Sequence, residues 1–142
     1  MERSASAYLR NGIIYLHSLS KTINGVWVLS KPVIKVDFLN DTDKLSQAVN
    51  EVLEGSEIGI AHPTSWSGLF DPMLEVSGIK SKKTFYKGAK VVLIDSSDLT
   101  DINFTPTKFL NSSEGFQPIE DKKLKVSGKT GEALVKCFEL CE

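Results

Sequence analysis

The sequence predicts an α+β fold, a single domain over residues 1–142 with one mostly antiparallel sheet of five to seven strands and two to four packed helices. Three observations carry this. Short β-branched or alternating runs recur along the chain, one long segment has an unbroken helical stripe, and turn-forming residues separate the runs. A chain of 142 residues buries about 70% of the surface its unfolded form exposes, so the fold needs no disulfide or metal staple.

Ile13–Ser20 (IIYLHSLS) alternates as a strand, with Ile13, Tyr15, His17 and Leu19 on one face and Ile14 and Leu16 on the other. Asn24-Gly25 then supplies a two-residue turn that needs positive φ at both positions, and Val26–Leu29 is the return strand. Val33–Phe38 is a further strand, with Pro32 at its entry, where a missing N–H is tolerated. Thr42–Glu54 is a helix. Asp41 (or Asn40) caps it, Asp43 sits in the first turn, and Leu45, Ala48, Val49, Val52 and Leu53 form one apolar stripe. Gly55 is placed to end it in the left-handed conformation.

Glu57–Ala61 is short and extended, and His62 before Pro63 is biased away from the helical region. Trp66, Leu69, Phe70, Met73 and Leu74 resume helical spacing. Asp71 as cap and Pro72 at the first helical position predict a short helix to Ser77, ended by Gly78. Phe85–Ile94 is strand-forming, with Val91–Ile94 suited to a sheet centre. Asp95–Asp98 turns the chain and Ile102–Phe109 returns it, with Pro106 relegating its far end to an edge or bulge. Asn111–Pro118 reads as loop and Lys122–Val126 as an edge strand guarded by lysines. Thr130 caps a last helix whose Leu134, Cys137, Phe138 and Cys141 share a side, the two cysteines acting as small hydrophobes.

A net charge of −1 argues against a nucleic-acid coat or a polybasic membrane binder. No apolar run reaches membrane-spanning length, and Arg10-Asn11 interrupts any signal-peptide core, so the expected location is the cytoplasm. No P-loop, GxGxxG, HExxH or CxxC motif is present, and no cofactor or metal is expected. Of the two histidines, His17 reads as a satisfied, half-buried strand residue. His62 has Ser65, Ser67 and Asp71 nearby in sequence, but hydrolysis needs a loop geometry that no spacing rule supplies; a local hydrogen bond fixing the Pro63 turn is the simpler role.

Charge is unevenly distributed. Lys80, Lys82, Lys83, Lys87 and Lys90 cluster with Phe85 and Tyr86, which reads first as a solvated lysine face leading into a sheet edge and second as a small nucleic-acid-binding module. Residues 37–57 and 95–121 are acidic blocks, each with six acids against one lysine, a pattern that fits attraction of a basic protein partner and equally a solubilising surface.

The strings SKPVIKVDF, GIAHPTSWSGLFDPMLEVSGIKSKKTFYKGAKVVLI, FTPTK and EGFQPI, from about Ser30 to Ile119, resemble the CdiI-type immunity proteins of bacterial contact-dependent growth inhibition systems. The resemblance implies a non-enzymatic cytoplasmic protein that binds and neutralises the C-terminal toxin domain, often a nuclease, of a cognate CdiA effector. The acids Asp95, Asp98, Asp101, Glu114, Glu120 and Asp121 are the expected toxin contacts, since a nuclease presents basic residues to phosphate. Direct nucleic-acid or membrane binding is not expected.

Overall fold

A computed structural model describes residues 2–37 and 40–142. Within these residues one sheet of eight strands forms the middle layer, one strand more than the upper end of the expected range. Its strands are β1 (Arg3–Arg10), β2 (Ile13–Thr22), β3 (Trp27–Val36), β4 (Ile58–Ile60), β5 (Lys90–Ser96), β6 (Ile102–Asn111), β7 (Gly115–Pro118) and β8 (Leu124–Val126). The order β3-β2-β1-β5-β6 is antiparallel throughout; β7 and β8 both pair with the outer edge of β6, and short β4 runs parallel to the end of β2.

Among the described residues, four α-helices cover the two faces: α1 (Thr42–Glu54), α2 (Asp71–Ser77), α3 (Lys82–Lys87) and α4 (Thr130–Glu139). On one face α1 and α4 press Leu45, Val49, Val52, Leu53, Leu134, Cys137 and Phe138 onto Ala5, Ala7, Ile14, Leu16, Val92, Ile94 and Phe104. Asp41 caps α1 as expected, its Oδ1 accepting from the Lys44 N–H at 3.2 Å. The two helices cross at Gly131, where a Cβ would collide with the Thr42 carbonyl oxygen; the Gly131 N–H instead donates to Ser46 Oγ at 2.8 Å. On the opposite face α2 and α3 bury Met73 and Phe85 over Tyr8, Tyr15 and Val91.

Several expectations are corrected. The positive-φ two-residue turn belongs to Asn11-Gly12 (φ 53° and 77°), joining β1 to β2. At Asn24-Gly25 only the glycine is left-handed, because the loop there is longer: Thr22 pairs with Val26 and Gly25 closes back onto Thr22. Residues 27–29 and 33–36 are not two strands but parts of β3, which begins one residue after Val26 and is interrupted by a bulge at Lys31 and Pro32, which are joined by a cis peptide; Phe38 lies outside the described residues. Gly55 is right-handed (φ −76°), and what demands glycine there is close approach to Pro32 and Ser18.

Phe85 and Tyr86 are helical rather than extended. Ser81 Oγ accepts from the Thr84 N–H at 3.2 Å and starts α3, Gly88 ends it, and the strand begins only at Lys90. Pro106 is buried within β6. Its carbonyl points to the outer side and accepts from the Ile119 N–H, so its missing N–H faces the gap between β7 and β8 and costs the β5 ladder nothing. The Asn111–Pro118 loop is a hairpin: Asn111 Oδ1 accepts from the Ser113 and Glu114 N–H groups, and β7 follows from Gly115. Lys129, with φ 52°, occupies the cap position of α4, and Thr130 is its first residue.

Candidate partner-binding groove

The α2/α3 face does not close over the sheet. Between the sheet and the residue 66–71 segment lies a cavity of about 550 Å³. Ser6, Tyr8, His17 and Leu19 form its floor, Trp27 and Leu29 one side, and Trp66, Phe70, Asp71, Lys82 and Tyr86 the other. A second recess of about 340 Å³ shares Ser6, Tyr8, Lys82 and Tyr86 and runs on to Ser112–Phe116. Together they make one groove across the sheet, with 55% of Trp66 exposed at its rim.

Strand alternation sets the floor: Tyr8 and His17 point to this face because Ala7 and Leu16 point to the other. His17 is 2% exposed and fully hydrogen-bonded. The Ser18 carbonyl, 2.9 Å from Nδ1, can only accept, so Nδ1 carries the hydrogen and Nε2 accepts from the Tyr8 hydroxyl at 3.3 Å. Burial pulls the His17 pKa down to about 4, against the opposing pull of the Ser18 bond, and pushes the Tyr8 phenol far up. His17 is therefore the satisfied histidine the sequence suggests, more deeply buried than expected. Beside the groove, on the same face, Phe85 meets Tyr8, Tyr15 and Phe70 edge-on, with ring centroids 5.3, 5.6 and 5.5 Å away.

His62 reaches β2 rather than its own turn. Thr22 Oγ1 accepts from the Asn24 and Val26 N–H groups, which leaves its hydrogen for His62 Nδ1 at 3.1 Å. The His62 ring then meets Trp66 edge-on at 5.2 Å, linking the groove's rim to the β2–β3 hairpin. Ser65 and Ser67 bond to each other, 3.0 Å apart, and not to His62.

The expected acidic contacts fall in two places. Asp95, Asp98 and Asp101 gather at the β5–β6 turn, with Glu120 and Asp121 on a 3-10 turn (Glu120–Lys122) whose neighbour Lys123 senses both Glu120 and Asp95. Most have local work. Asp95 accepts from Asn103 Nδ2 at 2.9 Å, Asp101 lies 3.9 Å from Lys125, and Glu120 lies 3.0 Å from Lys123. Asp98 accepts from the Thr100 and Asp101 N–H groups, which hold its carboxyl below the usual range. Glu114 stands apart in the second recess, bonded to Asn111 Nδ2 at 2.7 Å.

The lysine-rich stretch does not present bases with a stacking platform: Phe85 is wholly buried, and Tyr86 packs edge-on against Phe70 and Phe116. Sequence reasoning missed Tyr8, Trp27 and Lys82 as groove residues. The aromatic cluster around Trp66 and Phe70 was the one available signal.

No protein-family model matches the sequence, and no curated protein does. Solved structures match along its whole length. A protein of unknown function from Neisseria meningitidis aligns over 100% of this chain and 96% of its own, with a TM-score of 0.79 at 13% identity. A chain of the CdiA-CT/CdiI toxin and immunity complex from Yersinia pseudotuberculosis aligns over 100% of this chain and 98% of its own, with a TM-score of 0.77 at 15% identity. The fold is of the CdiI type. Among the described residues no helix is long and apolar enough to cross a membrane.

Proposed function

We propose that this protein is a non-enzymatic, cytoplasmic immunity protein that binds and neutralises the C-terminal toxin domain of a cognate CdiA effector. The observation that carries the reading is the end-to-end fold match with a chain of a toxin–immunity complex. The groove supports it, because its Trp27, Trp66 and Tyr86 are of the residue types that anchor protein interfaces. A nuclease is the toxin class that best suits the acidic β5–β6 end, where Asp95, Asp98, Asp101, Glu120 and Asp121 steer a basic partner, with Glu114 contributing from the second recess.

The test is co-purification with the toxin domain encoded immediately upstream, followed by growth rescue of cells expressing that toxin. A stoichiometric complex and rescued growth are expected. A stable, folded protein that neither binds nor rescues would overturn the reading.

A further inference from the structure

One cation in the groove has no ionic partner. Lys82 lines both recesses, and its ammonium lies 5.3 Å from the Tyr86 ring centroid and 5.8 Å from that of Phe70. Among the described residues the ion pairs engage Lys35, Lys122, Lys123 and Lys125, and Lys82 joins none. Of the two carboxylates along the groove, Glu114 is engaged by Asn111, and Asp71 packs over Gly68 without pairing with Lys82. Lys82 also opens α3 beside Lys83, where the helix dipole disfavours cations and no acid offsets them. The local preference is broken at a point of the surface where two ring faces hold an ammonium over a concavity.

We propose that Lys82 is a recognition residue for a partner carboxylate, an Asp or Glu side chain presented beside an aromatic or apolar side chain that fills the cavity against Trp66 and Trp27. An anion there completes an ion pair with an exposed cation that its two ring contacts bias toward the groove. The neighbouring rings exclude water from one side of the pair and strengthen it. The acids at the β5–β6 turn and Lys82 then read opposite charges on one partner, which fixes its orientation as well as its approach. This inference rests on the immunity reading for the identity of the partner, and on the groove alone for the chemistry.

Two measurements separate those dependencies. The first uses no toxin: NMR titration of the protein with N-acetyltryptophan, a carboxylate beside an indole, and with its uncharged amide. The carboxylate is expected to shift the Lys82, Tyr86 and Trp66 resonances at concentrations at least about tenfold below the amide. Lys82→Gln should erase that difference and Lys83→Gln should leave it. Equal response to acid and amide, or none to either, overturns the inference. The second measures the affinity for the toxin domain encoded immediately upstream: Lys82→Gln should weaken binding at least about tenfold, Lys82→Arg should retain most of it, and Lys83→Gln should be neutral. A wild-type protein that binds no toxin, yet prefers the carboxylate through Lys82, removes the immunity reading and keeps the site. Toxin affinity unchanged in Lys82→Gln removes the site and keeps the immunity reading.

Discussion

The two faces of the sheet are built to different rules. Under α1 and α4 the interface is apolar from Ala5 to Phe138, the helices are the long ones, and Gly131 lets them approach until a methyl group no longer fits. Under α2 and α3 the helices are short, and the sheet offers Ser6, Tyr8 and His17 to a groove that stays open. Polar groups on a buried floor add little net stability compared with the apolar packing opposite. The first face holds the fold together, and the second holds a surface in shape.

The largest way to break this division is Phe104→Ala on the sealed face. It should cost about 3–5 kcal/mol in denaturant unfolding, as expected for a wholly buried phenylalanine. Next is acid. Between pH 6.5 and about 4 the unfolded chain protonates its histidine while folded His17 resists, so stability falls as pH falls, by about 3 kcal/mol across that window. His17→Gln should flatten that part of the pH profile without altering the fold's circular dichroism.

Gly131→Ala should cost about 2 kcal/mol by forcing α1 and α4 apart, and should leave partner affinity intact once folded. Trp66→Ala should do the reverse, changing stability by less than about 0.5 kcal/mol while weakening the toxin complex severalfold or more in calorimetry. Smallest of all, Asp98→Asn with Asp101→Asn keeps the turn's acceptors and should only slow association and reduce its salt dependence.

The sealed face was also the legible one. The stripe Leu45, Ala48, Val49, Val52 and Leu53 is written in local sequence and comes out buried to the last residue. β1 was not, because Ser4-Ala5-Ser6-Ala7 holds only small residues of weak strand propensity, and tertiary packing buries Ser6 along with Ala5 and Ala7. The Asn-Gly rule was sound but satisfied at Asn11-Gly12, since loop length, and not the dipeptide, selects the turn. The groove was least legible. Tyr8, Trp27, Trp66 and Lys82 converge only through strand order, while capping by Ser81 turned the lysine stretch helical against the pull of the strand after it.

The bulge in β3 has a consequence for how the molecule behaves beside its own copies. β3 ends the sheet's order, and a ten-residue edge strand would ordinarily invite another strand to zip onto it. Lys31 and Pro32 interrupt its register, Pro32 withholds an N–H, and exposed Lys31 and Lys35 would meet like charges in many self-pairings. The edge is therefore guarded against amyloid-like stacking at high local concentration.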